Sequence, residues 1–320
     1  MKKSFLAISF LILLGMYTGT EKAHAQQDPQ FTQYMFNQLT FNPAYAGTRG
    51  TLSILGLHRT QWVGLDGAPN TFTIGLHSPI GKSERIGLGL NIQRDEIFIT
   101  NETYIDLDFS YTIPTSNTGK LSFGLKVGAQ LLDINFSETS PFQSGDFLAD
   151  GAENIDNRFE PQFGVGLFYY TDKFYLGGSV PNLIRTEHFE ESNNSNGGTS
   201  VSLAEERLHF FLSSGYVFNL NDNLKFKPAG LVRGVSGAPI SVDLTANFLL
   251  YDKLTLGAAY RLSAALSGLV GFQITDSLLL GFAYDGETTE LNRFNDGSYE
   301  IFLRYEVLKQ TKRLLSPRFF

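Results

Sequence analysis

The chain of 320 residues contains no cysteine. Thiolate catalysis and cysteine-bound metal are therefore excluded, and no disulfide can brace the fold. Tryptophan occurs once and proline only 11 times. Past the first residues, no apolar run approaches the roughly 20 residues that a membrane-spanning helix needs, so a helical membrane protein is excluded. Positive charge is short as well. The formal net charge is −7. Nucleic acid attracts basic surfaces, so no nucleic-acid partner is expected.

What is present begins with an export signal. Met1-Lys2-Lys3 precedes an apolar run from Phe5 to Leu14, and Ala23-His24-Ala25 closes the segment with small residues. This predicts a signal peptide over 1–25, cleaved after Ala25. Its loss leaves the mature chain at −9, because Lys2, Lys3 and Lys22 outnumber Glu21. The chain as a whole is rich in phenylalanine (28), tyrosine (14) and glycine (32), a mix suited to strands with aromatic girdles and tight bends.

Period-2 alternation follows. Ile105, Leu107, Phe109, Tyr111 and Ile113 oppose Asp106, Asp108, Ser110 and Thr112. Val242, Leu244, Ala246, Phe248 and Leu250 oppose Ser241, Asp243, Thr245 and Asn247. Such runs predict strands with one apolar face, long enough for a tilted span of the hydrocarbon layer. Tight polar turns recur at Asp172-Lys173, Asn221-Asp222-Asn223, Asp252-Lys253 and Asp276-Ser277, with slightly longer ones at 79–83 and 114–119. Between them lie long polar segments over 135–158 and 185–205, and an intermediate one over 287–297.

Short turns alternating with long loops mark an outer-membrane barrel. The expected strands are 48–58, 70–79, 84–95, 102–113, 119–133, 160–171 and 174–181. The remainder are 206–220, 224–234, 239–250, 254–262, 266–275, 278–286 and 297–307. The fold class is all-β: one transmembrane antiparallel β-barrel of about 14 strands over 48–307. The even count places both ends of the mature chain, and all the short turns, on the periplasmic side. The 308–320 tail is a basic periplasmic end, with Phe319 and Phe320 beyond the last strand.

Ahead of the strands, residues 26–47 predict a short N-terminal helix. Asp28 suits the cap, Pro29 the first position, and Asn42-Pro43 the end. Phe31, Tyr34, Met35 and Leu39 fall on one face, for packing on the barrel or docking at its mouth.

Lys225, Lys227, Asp106, Asp108 and Asp243 fall on lumen-facing positions, as paired filling or as a selectivity path. His58, His77, His188 and His209 are scattered, with no metal-ligand spacing and no nucleophile motif. No enzyme activity, cofactor or metal is expected. Trp62 sits where the first strand meets an external loop, as an interface anchor.

Several blocks also carry a resemblance. Gln30-Phe31, Gln33-Tyr34, Asn37 and Asn42-Pro43-Ala44-Tyr45-Ala46-Gly47 open it. His58-Arg59, Gln61-Trp62, Gly64, Gly67-Ala68-Pro69 and Thr71 continue it, then Pro181-Asn182-Leu183. The tail Lys312-Arg313 and Ser316-Pro317-Arg318-Phe319 matches more weakly. Together they resemble the PorP/SprF family of the Bacteroidetes type IX secretion and gliding machinery. The resemblance implies an outer-membrane protein that supports export or cell-surface anchoring of adhesin-like cargo by protein–protein docking. Implied partners are secreted adhesin-type cargo, type IX secretion components, a periplasmic peptidoglycan-linked protein and outer-membrane lipid. It also marks Gln30, Tyr34, Asn37, Asn42, Pro43, Gly47, His58, Arg59, Trp62, Pro181 and Asn182 as family-motif or partner-docking candidates. The competing reading is a passive channel or hydrophobic-solute transporter, which requires an open lumen. A membrane-embedded hydrolase is a third, requiring a serine or aspartate beside a histidine near the outer rim.

Overall fold

Alternating side chains set the wall of the molecule. In the computed structural model, β4 (Thr100–Pro114) exposes Ile105, Leu107, Phe109 and Tyr111 and buries Asp106, Asp108, Ser110 and Thr112. The apolar face therefore looks outward and the polar face inward, the reverse of a soluble sandwich and the arrangement lipid requires. The structure describes residues 29–138, 154–184, 208–235 and 238–307. The expected signal peptide, the 308–320 tail, His188 and most of the two longest loops lie outside the described residues.

The strands before the longest loop are β1 (Leu52–Thr60), β2 (Asn70–Ile80), β3 (Ile86–Ile97), β4, β5 (Lys120–Ile134), β6 (Ile155–Tyr170) and β7 (Phe174–Val180). After it come β8 (His209–Tyr216), β9 (Phe218–Asn221), β10 (Leu224–Val235), β11 (Ser241–Leu250) and β12 (Leu254–Arg261). β13 (Ala265–Thr275), β14 (Leu278–Glu287) and β15 (Ser298–Val307) complete the set. β8 and β9 both pair with β10 and form one stave interrupted at Val217, so the ring has fourteen staves. Pairing is antiparallel throughout, and β1 closes on β15 with Leu52 opposite Val307. Closure leaves the sheet without an edge, the condition for burial in hydrocarbon.

β4, β5 and β6 run to 15 or 16 residues. At ~3.3 Å per residue that is about 50 Å, so even tilted they rise past an apolar band of roughly 25 Å. At the short-turn end, aromatic rings on neighbouring staves form a girdle. Phe174 lies 6.2 Å from Tyr169 and 6.5 Å from Tyr216, and Phe226 lies 4.8 Å from Phe248. The six expected short turns all fall at this end. The other end carries the long loops, and also the short connections 98–99 and 262–264 that sequence spacing did not distinguish.

The expected N-terminal helix is not found; no α-helix occurs among the described residues. In its place are turns and two 3-10 turns, η1 (Gln38–Thr40) and η2 (Pro43–Tyr45). An amphipathic helix needs a polar face in water, and this stretch has none. From Phe31 to Ala46 every residue except Thr40 is buried. The segment neither packs on the barrel nor waits at its mouth; it fills the lumen. Its burial also moves the start of β1 from the expected 48 to Leu52, because Gly47 and Gly50 turn the chain with φ of +72° and +76° first.

Candidate functional site

The plug runs the length of the lumen. Gln30 accepts a hydrogen bond from Arg233, near the long-loop end of β10, at 3.0 Å. Gly47, close to the short-turn end, donates its amide to His77 Nδ1 at 3.1 Å. The described chain therefore begins in the long-loop half and descends before β1 rises again. The expected mature start at residue 26 and the 308–320 end both lie outside the described residues.

Four clusters of charged wall residues hold the plug. At the long-loop end, Glu300 accepts the backbone amides of Thr32 (3.0 Å) and Gln33 (2.8 Å). Thr32 Oγ1 donates to Asp285 at 2.7 Å. Arg59 lies between the two acids, 2.7 Å from Asp285 and 3.2 Å from Glu300. Farther along the wall, on β11, Asp243 is shared by Arg233 (2.7 Å) and Arg261 (2.6 Å). Midway, Lys126 bridges Asp106 (2.7 Å) and the carbonyl of Thr40 (2.9 Å). Near the short-turn end Arg49 of the plug pairs with Glu306 of the wall. Buried charges are tolerated when each is paired and hydrogen-bonded, and these are.

Glycine makes the room. A Cβ on Gly124 would collide with the backbone nitrogen of Ala44, and one on Gly87 with the carbonyl oxygen of Ala46. Both glycines are therefore the places where the wall lets a second backbone pass. Asn42 fixes η2 there, accepting from Ala44 N at 3.0 Å and donating to Leu167 O at 3.1 Å, with Pro43 at the first position of the turn. Aromatic contacts complete the packing: Phe36 against Phe302 at 4.6 Å and Phe41 against Phe211 at 5.3 Å.

The structure brings most of the motif residues into this one assembly. Gln30, Tyr34, Asn37, Asn42, Pro43 and Gly47 belong to the plug, where Tyr34 meets Thr245 at 3.2 Å and Asn37 accepts from Thr40 at 2.7 Å. Arg59 is their buried counter-group. Trp62 stays on the rim, with its indole donating to Glu287 at 2.8 Å and its backbone amide to Ser298 at 3.1 Å. It thus ties the β1–β2 loop to the β14–β15 hairpin. Pro181 and Asn182 form a lip beyond β7, held by Leu183 N donating to Phe163 O. His58 alone points away from the lumen, on the outward positions of β1.

Two lumen assignments need adjustment. Lys227 is buried, its ammonium 5.5 Å from the Phe36 ring, whereas Lys225 sits at the short-turn rim beside Asp252. The acidic residues expected as paired filling divide too: Asp106 and Asp243 are paired, while neither carboxylate oxygen of Asp108 has a hydrogen-bond partner among the described residues. Glu300 and Asp285 were not singled out from sequence. Their signal was faint: acidic residues at alternating positions of strands otherwise read for their apolar face.

Beside the plug, in the long-loop half, a small cavity of about 70 Å³ remains, lined by Phe31, Phe41, Gln93, Gln162 and Phe211 among others.

No curated protein matches the sequence. Among solved structures, the CymD monoaromatic hydrocarbon channel is similar at 12% identity and TM-score 0.51, covering 87% of this chain and 94% of that one. The outer membrane protein Omp33 of Acinetobacter baumannii aligns at 9% identity and TM-score 0.48, covering 80% and 98%. A FadL homologue of Pseudomonas aeruginosa aligns at 14% and 0.42, covering 87% and 95%. At 12% identity the likeness to CymD speaks for the barrel fold alone. The family model for the type IX secretion system membrane protein PorP/SprF matches residues 23–305, nearly the whole chain, and the protein belongs to that family.

Proposed function

We propose that this outer-membrane barrel is a docking component of type IX secretion that supports export or cell-surface anchoring of adhesin-like cargo. The observation that carries this reading is the filled lumen. A wall whose interior is occupied by residues 30–49, pinned through Glu300, Arg233 and Lys126, offers partners its two ends rather than a path between them. Cargo would meet the long-loop rim, which Trp62 and the Pro181-Asn182 lip stiffen. Periplasmic partners, including a peptidoglycan-linked protein, would meet the short turns.

The passive-channel reading draws on the shape shared with channel proteins, but an occupied lumen speaks against it. Affinity purification of the full chain from native membranes tests the choice. The docking reading expects secreted adhesins or secretion-machinery proteins to co-purify. It also expects gene deletion to leave cargo inside the cell or in the medium with general permeability unchanged. Altered solute uptake with normal cargo display would overturn it.

A further inference from the structure

In the short-turn half the plug and the wall leave a second, smaller gap. It is a cavity of about 10 Å³, room for one occupant of roughly water's size. The plug contributes Asn37 and Arg49 to its lining, and the adjacent strands β15, β1 and β2 contribute Arg304, Ser53 and His77.

The polar groups around it are rich in donors. Asn37 is 1% exposed and its Nδ2 has no hydrogen-bond partner, while its Oδ1 is already taken by Thr40. His77 Nδ1 accepts the Gly47 amide, so the ring's proton sits on Nε2, a second donor. Ser53 adds a hydroxyl, and Arg49 and Arg304 add guanidinium N–H groups. Charge points the same way. Both arginines are buried, and the one carboxylate beside them among the described residues is Glu306, paired with Arg49 and 3.9 Å from Arg304. Two cations thus share one anion, in a place where desolvation penalises an unbalanced charge.

A buried donor without a partner at a cavity wall points to an occupant that accepts from it. Water would have to place two hydrogens of its own, and the side-chain acceptors Asn37 Oδ1 and His77 Nδ1 are engaged. A monatomic anion accepts from several donors at once, returns no hydrogen and supplies the missing negative charge. The apolar part of the lining, Phe36, Leu39 and Leu55, suits a weakly hydrated ion. Sulfate, phosphate and carboxylates are too large for the space. We propose that this cavity is a halide site, holding one chloride ion between Asn37 of the plug and Arg304 of the wall and so fastening the plug's lower half to β15, β1 and β2.

The test uses the full mature chain, assembled and purified in sodium bromide in place of chloride. Crystals measured at the bromine absorption edge should show an anomalous peak in this cavity. In thermal unfolding at constant ionic strength, replacing gluconate with chloride should raise the midpoint saturably. Asn37→Leu removes one donor to a charged acceptor, so it should raise the half-saturating chloride concentration about tenfold or more. Ser78→Ala, on the outward positions of β2, should leave that concentration unchanged. Circular dichroism in the strand region checks that each variant assembles, and Ser53→Ala stands in for Asn37→Leu if that one does not. A cavity without an anomalous peak overturns the proposal. So does a midpoint indifferent to the exchange of anions, or a chloride response that the variant leaves intact.

Discussion

Arg59 is the residue on which the plug's upper half depends. It stands between Asp285 and Glu300, and Glu300 in turn receives two plug amides. Removing the guanidinium leaves two buried carboxylates facing each other. Arg59→Leu should therefore destabilise the barrel by about 3–5 kcal/mol, the usual cost of breaking a buried ion pair. Urea unfolding in lipid vesicles measures this, and a loss under about 1 kcal/mol would refute the assignment. Asp106 and Asp108 offer a paired contrast on the same strand face. Asp106 neutralises Lys126, while Asp108 has no hydrogen-bond partner for either oxygen. Asp106→Asn should lower the unfolding midpoint and Asp108→Asn should hold or raise it, since a buried carboxylate without a hydrogen bond costs stability. The same shift in both variants would contradict this reading of the lumen.

The plug and the staves read differently from sequence, for a physical reason. A stave lies between lipid and lumen, so its side chains alternate, and the facing of β4 and β11 was legible from Ile105 to Ile113 and from Ser241 to Leu250. Phe109 and Phe248 are both exposed on the outer face. Arginine at either should cost about 2–4 kcal/mol at the bilayer midplane and cut the folded protein recovered from outer membranes. Normal levels of both variants would reverse the facing. The plug is surrounded on every side, so its residues obey no period. Phe31, Tyr34, Met35 and Leu39 mimicked a helical stripe only because Thr32, Gln33 and Asn37, the polar residues between them, are buried too. Nor could the wall's glycines be read as a seat, since their meaning lies in the Ala44 and Ala46 backbones that pass them. Gly124→Val should push η2 off the wall while the barrel stays closed. Amide hydrogen exchange over residues 38–46 would then rise well above the wild type, whereas unchanged protection would show that η2 does not depend on that gap.

At the scale of the whole molecule, an outer-membrane barrel of the PorP/SprF family has spent its interior on its own N-terminal stretch. The strand count, closure and short turns were legible from alternation and turn chemistry. The occupancy of the lumen was not, because it is a long-range pairing of Glu300, Asp285 and Arg233 with residues some two to three hundred positions earlier. On the docking proposal, that occupancy leaves the barrel two faces to offer to partners. Planar-bilayer conductance of the purified full chain, set beside a variant lacking residues 31–46, tests it most directly. The intact protein should be silent and the shortened one should pass ions in discrete steps. Stepwise conductance from the intact protein, equal to that of the shortened one, would contradict the filled lumen and return the molecule to the class of open channels.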